Sequence, residues 1–317
     1  MRSLTKIVCG IALASAVTVG AGAAGAQNLT WSLAATGVGS CNIVAGCGAA
    51  NPAVYVQQNY QYGGSLNATS TSADSLRGVA HGSANPGVGF LSLPVLHSDV
   101  TGGAVASDGS YSWNYSLVDG FIGYTWGGPM VDIAVSAFIG TLDFTNSNSG
   151  VGFANASLAI LNQSVAPGSA LADTWYTHTN SYGFISDCNT PGAIGLATTG
   201  ADFSKGHITN TLAPSCPGQP TFHLNNGDTF YLWARLMTFE AVNGFVDASH
   251  TFTVSLNPNL SQSDVAMLTS NLIEVPTFTV NAAVPEPSAW ALLIVGFGGL
   301  GAMLRRSHLK GSALQTT

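Results

Sequence analysis

Between residues 230 and 239 the sequence runs Phe-Tyr-Leu-Trp-Ala-Arg-Leu-Met-Thr-Phe, which is largely apolar whichever alternate residue is taken. At period two, Phe230, Leu232, Ala234 and Leu236 share one side, and Tyr231, Trp233, Arg235, Met237 and Phe239 the other. A strand with two such sides needs cover on both, which places it in the middle of a sheet. The residues around it agree. Asn226-Gly227-Asp228 reads as a turn, Phe245 to Asp247 as a loop, and Thr251 to Leu256 and Thr277 to Val280 as later strands. Upstream, Trp113 to Leu117 and Phe121 to Trp126 flank Val118-Asp119-Gly120, a hairpin-like break by its Asp-Gly pair. Val131 to Ile139 puts Val131, Ile133, Val135, Ala137 and Ile139 on one face. The one helical exception is Ser261 to Leu272, with Asp264 in its first turn. Short strands separated by turn residues predict an all-β fold, an antiparallel β-sandwich of jelly-roll-like type.

Polarity in this chain comes from Ser, Thr, Asn and Gly. Only 7% of its 317 residues are charged, against about 25% in an ordinary soluble domain. Arg77, Lys205 and Arg235 are the only cations between residues 27 and 284, where there are fourteen acids. That balance excludes nucleic acid as a partner, because phosphate binding needs a Lys/Arg footprint. It also disfavours charge attraction to an acidic polysaccharide.

The two ends are built differently from the body. Arg2 and Lys6 precede a short apolar run, Ile7 to Val19, and Ala24-Gly25-Ala26 follows. Small residues at Ala24 and Ala26 suit cleavage before Gln27, so residues 1–26 read as a signal peptide handled by signal peptidase and the general export machinery. At the other end Val284-Pro285-Glu286-Pro287-Ser288-Ala289-Trp290-Ala291 leads into an apolar run, Leu292 to Leu304, and then Arg305-Arg306. The prolines prevent regular pairing. Ala289 to Leu304 as a helix would span ~24 Å, short for a hydrocarbon core of roughly 30 Å. Trp290 suits one interface, and Arg305 and Arg306 the cytoplasmic one. The four glycines among residues 296–301 make a weakly helical transmembrane segment, easily extracted.

This order of motif, apolar helix and basic stop resembles the PEP-CTERM sorting domain in its Pro-Glu-Pro-x-x-Trp-Ala variant. Pro285, Glu286, Pro287, Trp290 and Ala291 carry the match, with Arg305 and Arg306 as the basic stop; Lys310 to Thr317 run past the usual end. The resemblance implies a substrate of exosortase, a membrane-embedded cysteine transpeptidase of Gram-negative bacteria that make exopolysaccharide. It implies a cut at or near Pro285-Glu286-Pro287, a transient anchor in the inner membrane, and delivery to the cell surface or beyond. The expected organisation is a signal peptide at 1–26, an exported body at 27–284 and a sorting segment at 285–310. Gly227 to Ala234 with Asp247 to Thr251 also looks, loosely, like the last strand pair of such cargo bodies, and carries no known site.

Cys9 leaves with the signal peptide. Cys41, Cys47, Cys188 and Cys216 remain, an even number in an exported chain, which predicts two disulfides. Three connectivities are open; pairing Cys41 with Cys47 and Cys188 with Cys216 is the simplest. Neither C-x-x-C nor histidine spacing suggests zinc.

Catalytic motifs are absent: there is no G-x-S-x-G, no H-E-x-x-H and no Walker loop. A glycosidase needs two carboxylates, and the body holds two glutamates, Glu240 and Glu274, beside twelve aspartates. Glu240 ends the strongest strand and reads as a surface carboxylate. Asp228, Asp247 and His250 are the nearest approach to a Ca²⁺ cluster, and no cofactor or metal is expected. His81, His97, His178, His207, His223 and His250 show no ligand spacing. Tyr111, Trp113, Trp126, Trp175 and Tyr176, with Tyr55, Tyr60 and Tyr62, are candidate rings for stacking on sugars. The expected function is a non-enzymatic surface or matrix protein in an exopolysaccharide biofilm. A carbohydrate-binding module of the surface layer is the alternative, and a secreted glycoside hydrolase a more distant one.

Overall fold

In a computed structural model the strand predicted at 230–239 is β14 (Thr229–Glu240), hydrogen-bonded on both edges. The structure describes residues 30–42, 54–63, 67–87, 91, 95–103, 110–147, 151–165, 193–214, 221–241 and 243–274. For residues 41–42, 54–63, 110 and 250–251 it gives the backbone alone. All described residues belong to the first of two units, which divide at Phe278/Thr279. The signal peptide, the 285–310 segment, the 277–280 strand and Cys47, Cys188 and Cys216 lie outside the described residues. Cys41 falls in β1, where only its backbone is given. Among the described residues no helix is long and apolar enough to cross a membrane.

The described body is an antiparallel β-sandwich, as expected. Its larger sheet is built from β1 (Trp31–Asn42), β2 (Val54–Gly63), β6 (Ser110–Trp126), β9 (Gly152–Leu161), β10 (Ala193–Thr198), β12 (Ala213–Pro214), β14 and β16 (Leu272–Glu274). Their order is β12-β10-β9-β14-β6-β1-β2, with β16 on the end of β6 beyond β1. The smaller sheet has the order β11-β8-β15-β5-β4-β3. Its strands are β3 (Ala68–Asp74), β4 (Gly78–Asn85), β5 (Val95–Gly102), β8 (Phe138–Asn146), β11 (Gly206–Thr211) and β15 (Phe245–Leu256). A two-stranded ribbon joins β7 (Val131–Ile133) to β13 (Phe222–Leu224). The helix is α1 (Gln262–Asn271), capped by Ser261, whose Oγ accepts from the Asp264 N–H at 3.1 Å.

Apolar cover explains the layers. One core lies between the sheets and joins Leu158, Ile160, Phe230, Leu232 and Leu236 to Leu96, Leu142, Phe144 and Phe252. The other side of the larger sheet is also buried, with Trp31, Phe121, Tyr231, Trp233 and Phe239 among its rings. Phe121 stacks on Trp31 and Tyr231 at 5.2 Å each. The smaller sheet buries one side only; its other side meets solvent, and its strands alternate accordingly. Between the sheets a hydroxyl seam replaces apolar packing: Thr36 Oγ1 lies 2.8 Å from Ser70 Oγ and 2.9 Å from Ser72 Oγ, and Ser98 Oγ lies 2.7 Å from Thr238 Oγ1. The sheets approach closely there, since a Cβ on Gly82 would fall 2.7 Å from Ser116 Oγ.

Three local expectations fail, each for a visible reason. Val118-Asp119-Gly120 is no break; β6 runs straight through it because Asp119, fully buried, is neutralised by Arg235 on the neighbouring strand. Phe245 to Asp247 is the start of β15 and not a loop, since its edges pair with both β5 and β8. Val131 to Ile139 is interrupted by a 3-10 turn at Val135–Ala137, after which Phe138 points inward and Ile139 is only half-buried.

Candidate functional site

The solvent side of the smaller sheet gathers the polar side chains of six strands. Register puts Thr71, His81, Asp99, Asp247, Thr145 and His207 in one row, running from β3 through β4, β5, β15 and β8 to β11. Thr71 Oγ1 is 3.0 Å from His81 Nδ1. At the far end His207 Nε2 is 3.2 Å from Asp143 Oδ1, which also accepts from Thr209 Oγ1 at 3.3 Å. His97 lies two residues along β5 from Asp99, and its Nδ1 is hydrogen-bonded to the Ser249 carbonyl where β15 bulges. Asp247 Oδ1 accepts from the Ser249 N–H at 2.8 Å.

Asp99 and Asp247 face each other at the centre of this row. The adjacent bond from the Gly102 N–H to the Gly244 carbonyl fixes the alternation of the β5–β15 ladder. It makes Asp99/Asp247 a non-hydrogen-bonded pair, where Cα atoms sit about 4.5 Å apart and side chains are closest. Like charges so placed repel. Partial burial lifts the Asp99 carboxyl above its ordinary value of 3.8, the charge of His81 pulls it back, and Asp247 adds to the rise. The centre of the row therefore offers a carboxyl that gives up its proton reluctantly beside one that accepts hydrogen bonds.

Other predicted residues are placed elsewhere. Glu240 is not a surface group: it is fully buried between the sheets, with the Gly152 backbone so close that a Cβ there would lie 2.2 Å from Oε2. Glu274 is exposed on β16. Glu240 pairs with Asn114 and Glu274 with Tyr124, ten residues along β6. At ~3.3 Å per residue they stand about 33 Å apart, far outside glycosidase spacing. Asp228 and Asp247 are not brought together. Asp228 closes the turn before β14 by accepting from the Asn225 N–H at 2.7 Å, and Asp247 sits on the other sheet, in the strand that follows the far end of β14; the side chain of His250 lies outside the description. Among the described residues no group of three or more His, Cys, Asp or Glu converges as a metal site.

Of the candidate rings, Trp113 and Trp126 are core residues, packed respectively on Phe239 at 4.6 Å and bonded through Nε1 to the Pro129 carbonyl at 2.6 Å. Tyr111 is half-buried, and the side chains of Tyr55, Tyr60, Tyr62, Trp175 and Tyr176 lie outside the description. The Asp/His row was missed because its members are far apart in sequence. A signal exists in Leu96-His97-Ser98-Asp99-Val100, where the alternation that buries Leu96, Ser98 and Val100 turns His97 and Asp99 outward.

No family model matches this sequence, and no curated protein does. Among solved structures, an enzymatically active domain of tailspike protein 4 from bacteriophage CBA120 is 10% identical over 62% of this chain, with a TM-score of 0.25. That alignment spans only 20% of the tailspike chain. The carbohydrate-binding module TmCBM61, solved with β-1,4-galactotriose, is 6% identical over 61% of this chain and 92% of its own, with a TM-score of 0.25. A carbohydrate-binding module of the β-sandwich superfamily is 9% identical over 72% and 86%, with a TM-score of 0.23. Scores of this size do not establish a common fold.

Proposed function

We propose that this chain is an exported, surface-retained protein that binds a hydroxyl-rich polymer through the solvent side of its six-stranded sheet and catalyses no reaction. The leader at 1–26 and the sorting segment at 285–310 support export, transient anchoring in the inner membrane, and processing by exosortase. The observation that carries the binding reading is the row Thr71, His81, Asp99, Asp247, Thr145 and His207. Carboxylates, imidazoles and hydroxyls in register supply acceptors and donors at strand spacing, which suits the hydroxyls of a neutral exopolysaccharide. A glycan array probed with wild type and with Asp99→Asn/Asp247→Asn tests this. Retention of neutral glycans by wild type and at least tenfold weaker retention by the variant are expected; equal retention would defeat it. For sorting, mass spectrometry of the surface-released protein should find its C-terminus near Pro285. Arg305 and Arg306 in that form would defeat the processing reading.

A second reading rests on the same two carboxylates. Asp99 and Asp247 are two carboxyls opposed across one strand pair, with burial holding Asp99 above its ordinary value, and a carboxyl pair is what glycoside hydrolysis needs. Release of reducing sugar by wild type, lost in Asp99→Asn while glycan retention persists, would establish it over simple binding.

A further inference from the structure

The four edges of the two sheets are not equally protected. At one end of the larger sheet β12 is two residues long and includes Pro214, which has no N–H. At the other end β2 carries an extra residue opposite Val38/Gly39, a bulge that bends the edge. In the smaller sheet Thr69, Thr71 and Ala73 of β3 are already engaged. β11 (Gly206–Thr211) is different. It is six residues long, continuous in register with β8, and free of proline, bulge, lysine and carboxylate.

The ladder shows which of its backbone groups are open. The Leu212 N–H donates to the Gly140 carbonyl at 2.9 Å, in register with Ile208–Phe144 and Asn210–Leu142. Even-numbered residues of β11 therefore bond to β8, and His207, Thr209 and Thr211 turn their N–H and C=O groups away from the sheet. Among the described residues nothing bonds to them, and their side chains are exposed.

We propose that β11 is a self-association edge, pairing antiparallel with β11 of a second copy across a two-fold axis at Thr209. In that register His207 lies opposite the partner's Thr211 and Thr209 opposite the partner's Thr209. Every outward N–H then meets an outward C=O. Side-chain chemistry selects a second copy as the occupant. A threonine pair on the axis is a favourable cross-strand contact, histidine meets a hydroxyl, and no carboxylate faces another, since Asp143 is one strand inside. The result doubles the six-stranded sheet and leaves the two polar rows staggered by four residues, each His207 opposite the partner's Thr211. This pairing stands whether or not the face binds a polymer.

Amide hydrogen exchange on the full-length protein in mild detergent, at low and high micromolar concentration, tests the pairing. Exchange at His207, Thr209 and Thr211 slows at least tenfold at the higher concentration, while Ile208 and Asn210 are unchanged. Thr209→Pro removes the central donor at an edge position that tolerates proline, and abolishes both this effect and dimer formation in sedimentation equilibrium. Thr209→Lys places two ammonium groups on the axis and does the same without touching the backbone. Exchange at the three amides that ignores concentration, or a dimer that survives Thr209→Lys, overturns the proposal.

Discussion

Asp119 and Arg235 give the sharpest test of how this sandwich is held together. They are cross-strand neighbours on β6 and β14, with Arg235 Nε 2.7 Å from Asp119 Oδ1 and Nη2 3.0 Å from Oδ2. Both side chains are only 1% exposed, and the guanidinium carbon lies 5.2 Å from the centre of the Trp233 ring. Replacing Asp119 by leucine leaves a buried guanidinium without its carboxylate. Breaking one side of such a pair costs about 3–5 kcal/mol. For a body of this size each kcal/mol moves Tm by roughly 2–4 °C, so Asp119→Leu lowers Tm by roughly 6–20 °C. Arg235→Met leaves a buried carboxylate and is expected to cost as much. The double variant Asp119→Leu/Arg235→Met removes both charges from an apolar layer and recovers to within about 1–2 kcal/mol of wild type, because the desolvation cost disappears with the attraction. Urea and thermal unfolding of the four proteins at neutral pH completes a double-mutant cycle. Added salt should change little, since a buried pair is weakly screened. Single variants costing under about 1 kcal/mol, as exposed pairs do, or a double variant costing the sum of the two, would refute the reasoning.

Other consequences follow from the backbone and from Asp99. Gly78 has φ +113°, and a Cβ there would lie 1.9 Å from the Thr101 carbonyl oxygen, so Gly78→Ala is expected to cost at least about 2 kcal/mol in urea unfolding. Gly227, with φ +91° and open space around it, is the control: Gly227→Ala should cost only about 1–2 kcal/mol. Gly82→Val, pressed against Ser116 and Val118, should cost about 1–3 kcal/mol and loosen the contact between the sheets. The Asp99 carboxyl holds its proton more tightly folded than unfolded, so the folded state binds more protons above pH 3.8. Its contribution to stability is present below that pH and is lost as pH rises through the raised folded value. Asp99→Asn should therefore gain on wild type across that window when unfolding is followed against pH; a constant difference would contradict the assignment.

What the sequence disclosed and concealed follows from where its polar residues point. β14 was legible as a central strand because burial on both sides demands apolar residues at every step, and α1 because Ser261 and Asp264 mark its start. Strands β3 to β5 were not. In β3 the inward residues after Ala68 are Ser70 and Ser72 and the outward ones Thr69 and Thr71, so no hydrophobic period exists to be read. The seam they form is stable because Ser70 and Ser72 share Thr36 and Ser98 meets Thr238 across the sheets, and small side chains let the backbones come close. The same economy of apolar surface explains the missed site. A sheet that needs only one covered side can place His97 and Asp99 between core residues of a single strand. The row they join exists only once β4, β5 and β15 are in register. Asp119 shows the converse. Its Asp-Gly signature suits a turn, and an arginine 116 residues away makes it a strand interior. In a chain with three cations in its body, the one that is buried decides the course of the longest strand among the described residues.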